Sequence, residues 1–184
     1  MRRNCFSFLL IFLPLLGAAQ SSETRSVGSF KGVKSGEAID VYLKKGDKES
    51  VKVDVSDGNL SNVITEVSGS YLKIHLRENS FFRNNADVKV YVTYVAIDRI
   101  SASSASNVFS DGPIKTESLD IQASSAADLE LSVEATDVSV HASSAADVIL
   151  EGTAKSINAD ASSSGEIDAY RLQVERAEAS SSSA

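Results

Sequence analysis

Apolar and polar residues alternate along much of this chain with a period of two. Ile39, Val41 and Leu43 alternate with polar neighbours, as do Val51, Val53 and Val55, then Leu72, Ile74 and Leu76, then Val88, Val90, Val92 and Tyr94. A period of two places every second side chain on one face of extended backbone, so each run predicts a half-buried β-strand. Turn signals separate the runs at Lys45-Gly46-Asp47, Asp57-Gly58-Asn59 and Gly69-Ser70. Leu60, Val63, Ile64 and Val67 fit a helical stripe, yet Ile64 to Val67 also suits a strand, and the pattern leaves both open.

From residue 99 a longer period is laid over the first. The segments ISASSASN from Ile100, IQASSAAD from Ile121, VHASSAAD from Val140 and ADASSSGE from Ala159 align, and a fifth begins at Ala177. Their starts are 21, 19, 19 and 18 residues apart. A period near twenty is what a solenoid produces, because each coil returns the chain to the same place one strand-spacing along. Within a repeat, Leu119, Ile121, Ala123, Ser125, Ala127, Leu129 and Leu131 share one parity, with equivalents at Val138 to Leu150 and Ile157 to Ala169.

The fold expected is therefore all-β. It is a parallel β-helix or solenoid with coils of about 19 residues over 99–184, preceded by a strand-rich N-terminal part over 27–98. Residues 27–98 read as antiparallel or sandwich-like strands covering the first coil. The Ala-Ser-Ser-Ala step is expected to bend the chain around a corner, with Ser104, Ser125, Ser144 and Ser163 stacked inward. Because the sequence stops inside a fifth coil, the chain is expected to be a fragment or to fray at its last residues.

The first nineteen residues change the picture of where such a fold works. Arg2 and Arg3 precede an apolar run from Phe6 to Leu16, and Gly17-Ala18-Ala19 supplies small residues where a signal peptidase cuts. The run falls well short of the roughly twenty residues that span a bilayer. The organisation expected is a signal peptide over 1–19 and one β domain over 20–184, exported to the periplasm, the outer-membrane surface or beyond. Cys5 lies in the leader, so the mature chain is expected to lack disulfides, thiolate chemistry and cysteine-ligated metal. Removing Arg2 and Arg3 leaves 16 basic against 25 acidic residues, a net charge of −9. An acidic chain without a basic stripe argues against nucleic acid as a partner.

Candidate chemistry is sparse. His75 and His141 lie opposite the apolar faces of their strands and read as solvated residues. The best constellation is the column Asn107, Asp128, Asp147 and Glu166, at equivalent positions on successive coils. Its oxygens could take Ca²⁺ or act as a carboxylate pair on sugars, whereas solvated turn residues need no ligand at all. Phe81 and Phe82, adjacent in an expected loop, form a second candidate contact for sugar rings or a partner protein. No nucleophile elbow, phosphate-binding glycine loop or dinucleotide fingerprint is present in the sequence, so no catalytic residue and no cofactor is expected.

The run FKGVKSGEAIDVYL from Phe30, then GDKESV from Gly46, Leu72-Lys-Ile74, VKVYV from Val88 and the repeats from Ile100 together resemble the head GIN domain family. That family is described as auto-transporter adhesins of Gram-negative bacteria. The resemblance runs from about Val27 to the end and implies an exported, β-rich protein that binds without catalysing. It brings no agreed ligand residues. The partners it suggests are a cell-surface glycan or an envelope protein. The alternatives are a structural, self-assembling envelope component that forms homo-oligomers and, further off, a β-helical carbohydrate-active enzyme.

Overall fold

The computed structural model describes residues 20–56, 58–77 and 87–182. The expected leader and the Phe81–Phe82 loop lie outside them. The strands are β1 (Gln20–Arg25), β2 (Gly32–Ser35), β3 (Asp40–Lys45), β4 (Ser50–Ser56), β5 (Val63–Ser68), β6 (Tyr71–Leu76) and β7 (Val88–Tyr94). They continue with β8 (Arg99–Ala102), β9 (Asn107–Asp111), β10 (Ile114–Ala123), β11 (Asp128–Ala142), β12 (Asp147–Ser162) and β13 (Glu166–Ser182). All join one curled, half-open sheet, so the fold is all-β. The stretch that could have been helix is a 3₁₀ turn, Leu60–Asn62, leading directly into β5.

The repeat appears as register. Ile121 pairs in parallel with Val140, Val140 with Ala159, and Ala123 with Ala142 and then Ala161. Each repeat contributes two arms around a corner: β10 runs into β11 through residues 124–127, β11 into β12 through 143–146, and β12 into β13 through 163–165. Inward residues of the first arm form the column Leu72, Val33, Ile100, Ile121, Val140 and Ala159. Those of the second arm form Val90, Val41, Val108, Leu129 and Val148. Apart from the half-buried Ala159, these residues are 0–2% exposed and belong to one apolar core. Burying each Val, Leu or Ile contributes about 2 kcal/mol, so the two columns supply a substantial share of the core's stabilisation.

Two sequence expectations are corrected here. The N-terminal strands do not simply cover the first coil with antiparallel pairs. β2 and β3 pair in parallel with β8 and β9 on one side and with β6 and β7 on the other, so they form an interior layer of the same ladder. Among the described residues antiparallel pairing is confined to β1 with β4, β4 with β7, and β5 with β6. The strands were legible from alternation, but their partners depend on long-range packing that alternation does not encode.

The second correction concerns the corner. Ser104, Ser125, Ser144 and Ser163 are exposed. In each corner two successive residues have positive φ: Ser104 and Ala105, Ser125 and Ala126, Ser144 and Ala145, Ser163 and Ser164, with Glu37 and Ala38 at the equivalent place between β2 and β3. Two consecutive left-handed residues swing the chain outward and reverse the direction of the next arm, as in a type I′ turn. The inward positions pass to the flanks, where Ala123, Ala127, Ala142, Ala146 and Ser106 are 0–1% exposed. Each left-handed non-glycine residue costs on the order of 1 kcal/mol. Offsetting that cost, Ala105 donates its N–H to Ser125 O at 2.9 Å and Ala126 donates to Ser144 O at 3.0 Å, tying each corner to the next. Small side chains are required because bulky or β-branched residues fit this backbone worst.

Candidate functional site

The outer face of the second arm carries the chemistry. Tyr42 on β3 sits between Tyr91 on β7 and Phe109 on β9, in register on parallel strands. The Tyr42 and Tyr91 ring centroids are 5.1 Å apart at 18°, and those of Tyr42 and Phe109 are 5.2 Å apart at 22°. Rings that close and that nearly parallel cannot lie side by side in one plane without their edge hydrogens overlapping. Their faces therefore overlap, and the stack presents ring edges to solvent. The Lys52 ammonium covers the far end, 5.3 Å from the Tyr91 centroid. Burial in the stack raises the Tyr42 phenol above its ordinary range, with the Asp40 carboxylate adding to the shift.

The other end of the stack meets the repeat. Beyond Phe109 the next residue in register is Glu130, then Ile149, then Asp168. Here Phe109, Glu130, Ser132, Ile149, Glu151 and Arg171 line a surface depression of about 270 Å³. Its floor is fixed by backbone: the Ser132 N–H donates to Ser110 Oγ at 2.7 Å where the β9–β11 ladder ends. Glu151 and Arg171 form an ion pair at 3.2 Å.

A bulge builds that pair. Ile149 faces Asp168, but Glu151 faces Arg171, so β13 carries one extra residue against β12. The extra residue makes Tyr170 and Arg171 point outward in succession, and Tyr170 is left 95% exposed. Asp168 Oδ1 accepts the Tyr170 N–H at 2.9 Å and fixes the kink. Bulges of this kind re-aim side chains next to functional sites.

The acidic column is assembled as the repeat implies. Asn107, Asp128, Asp147 and Glu166 lie in register, and Asp40 extends the row. Asn107 Nδ2 donates to Asp40 Oδ1 at 2.7 Å, while Asp128, Asp147 and Glu166 are exposed. Among the described residues no group of three or more His, Cys, Asp or Glu is disposed to hold a metal ion. The row is thus aligned but not gathered around a point. Beyond Asp40 it passes to Lys89 and Asp54. Burial pushes the Asp54 carboxyl up, and the Lys52 ammonium at 2.8 Å, helped by the Ser22 hydroxyl opposite, pulls it further down, below the ordinary carboxylate range. His75 is half-buried with Nδ1 3.0 Å from Leu76 O, and His141 is exposed, 3.8 Å from Asp160. The two histidines are on separate strands and share no partner.

Sequence reasoning missed the aromatic stack because its stacked pairs are 49 and 67 positions apart, and only Phe109 lies inside the repeat. A faint signal existed: Tyr42, Tyr91 and Phe109 each follow an inward valine, on the parity otherwise given to polar residues. The bulge left a clearer mark, since the apolar parity changes from Ile167 and Ala169 to Leu172 and Val174.

A family model described as "Putative auto-transporter adhesin, head GIN domain" matches residues 29–184. The fold is similar to that of a putative adhesin from Bacteroides fragilis, with a TM-score of 0.84 and 20% identity over 91% of this chain and 78% of the other. A putative adhesin from Parabacteroides distasonis is similar with a TM-score of 0.75 and 16% identity, over 90% of this chain and 79% of that one. A putative lipid binding protein from the same species has a TM-score of 0.65 and 17% identity, over 88% and 78% of the two chains. At these identities the likeness is one of fold. No curated protein sequence is significantly similar to the chain. No helix among the described residues is long and apolar enough to cross a membrane.

Proposed function

This chain belongs to the head GIN domain family of putative auto-transporter adhesins, and from that premise we propose that it is an exported, non-catalytic binding module. Residues 20–184 work as one solenoid-like unit whose outer face makes the contact, and the partner is a cell-surface glycan or an envelope protein. The observation that carries the reading is the outer face of the second arm. A stack of three aromatic side chains, fixed to parallel backbone, lies beside a solvent-facing depression that holds fixed charges. Such a surface is preorganised, so contact with a partner costs little ordering entropy. A solvent-facing depression suits adhesion better than chemistry, because catalytic carboxylates depend on enclosure that shifts their proton affinity and excludes water.

The test presents the full chain to intact bacterial envelopes and to immobilised glycans, and reads retention and released product together. Retention without product is expected. Product release would replace this reading with an enzymatic one, and failure to be retained on any surface would end it.

A further inference from the structure

A separate depression lies at the corner between β2 and β3, and we infer that it is a subsite for a phosphate group. One inward flank of the corners forms a register row: Ser35, Ala102, Ala123, Ala142 and Ala161. Four of the five are alanine, so the corner backbone does not call for a hydroxyl. Ser35 is 2% exposed, and among the described residues its Oγ has no hydrogen-bond partner. Burying a hydroxyl without a partner costs stability, and buried polar groups are otherwise nearly always paired. Ser106, the buried serine on the other flank, shows the usual arrangement: its Oγ accepts the Ser103 N–H at 3.2 Å. Ser35 lines a depression of about 280 Å³ together with Lys34, Glu37, Lys73 and His75, where a ligand can supply the missing partner.

The lining points to an oxyanion. Lys34 and Lys73 are directly in register on the parallel strands β2 and β6, so their stems start about 4.8 Å apart. Among the described residues neither ammonium forms an ion pair, although Glu66 faces Lys73 across β5 and β6. Glu37 is the carboxylate of the lining, and its Oε2 is engaged in accepting the Leu76 N–H. His75 donates Nδ1–H to Leu76 O at 3.0 Å, which fixes the imidazole. Two ammoniums against one engaged carboxylate leave the depression one unit positive, on a chain of net charge −7. Like charges on adjacent strands repel, and an anion beside them relieves that repulsion. A carboxylate brings two oxygens, whereas a phosphate monoester brings three, enough for both ammoniums and the Ser35 hydroxyl. Lysines bind phosphate as point charges, without the planar fork of a guanidinium.

The experiment titrates the full chain with inorganic phosphate and with glucose 6-phosphate at constant ionic strength, by calorimetry. A parallel arm sediments it with phosphatidylcholine vesicles, with and without phosphatidate. Binding of inorganic phosphate is expected, weakened about tenfold by Lys34→Gln with Lys73→Gln and about threefold by Ser35→Ala. Ser35→Ala restores the residue of the other four corners, so its melting temperature should not fall. Lys155→Gln, at an exposed lysine elsewhere, should leave the affinity within about twofold. Glucose 6-phosphate binding without vesicle capture would identify a glycan phosphate as the source, phosphatidate-dependent capture a lipid headgroup, and binding of inorganic phosphate alone the free ion; each supports the subsite. No phosphate binding, indifference to the lysine pair or to Ser35→Ala, or an equal loss in Lys155→Gln would overturn it. These readouts use soluble probes and vesicles, so this inference and the envelope-binding reading can fail separately.

Discussion

The corners and the outer face of the second arm are built on opposite rules. At the corners nearly the same tetrapeptide recurs, and what matters is backbone: two left-handed residues, small flanks and a hydrogen bond to the next corner. On the outer face the register row Tyr91, Tyr42, Phe109, Glu130, Ile149 and Asp168 hardly repeats itself, and what matters is which side chain stands beside which. Repetition maintains the scaffold, and departure from it is where recognition can be written. The same separation holds in repeat proteins generally, where stacking interfaces are shared and the exposed positions vary.

The comparison can be broken at either side. Overpacking a corner flank should do most damage: Ala146→Leu, at a position 0% exposed, is expected to cost about 3 kcal/mol in urea denaturation. Next comes the corner itself. Ser125→Val should cost about 2 kcal/mol although Ser125 is exposed, while Ser125→Gly should cost nothing or stabilise slightly. An exposed serine that accepted valine freely would show that the left-handed backbone is not the constraint. On the outer face, Tyr42→Ala should cost about 1 kcal/mol through the lost stacking on both neighbours.

Acid sharpens the comparison further. Asp54 has a lowered folded pKa, so its contribution to stability is present above the unfolded carboxylate value of about 3.9 and is lost as pH falls through the folded value. Melting temperature followed through that range should show an acid-dependent loss in the wild type that is absent from Asp54→Asn. The smallest effect belongs to the acidic column. Asp128→Asn with Asp147→Asn removes like charges from adjacent parallel strands and should raise stability by a few tenths of a kcal/mol. The rise should be equal in calcium and in chelator; a calcium-dependent difference in the wild type would instead reveal a bound cation.

The legible part of this molecule is the part that repeats. Alignment of Ile121 with Val140 in the sequence is alignment in space, because parallel pairing of successive repeats converts a fixed offset into a register. The same logic put Asn107, Asp128, Asp147 and Glu166 in one row. Parity counting then failed at Ser125, since two left-handed residues pass the inward positions to Ala123 and Ala127 while keeping the odd–even count intact. It failed also at Tyr42, whose neighbours Tyr91 and Phe109 are set by pairing between strands of different origin. Gly152, by contrast, could have been flagged: it stands where Val133 and Leu172 stand on the adjacent strands, and a Cβ there would lie 2.1 Å from Val133 O.

The placement of β2 and β3 has a consequence for how the chain assembles. This layer lies between the layer of β6 and β7 and that of β8 and β9, so both its neighbours are made later than it is. As the chain emerges, residues up to about 45 have no parallel partner until β6 and β7 follow, and their second edge stays open until about residue 111. Only then can each further repeat add to a finished surface, one after another. Assembly should thus divide into a slow collective closure of the first three layers and a rapid, one-directional zipping of the rest.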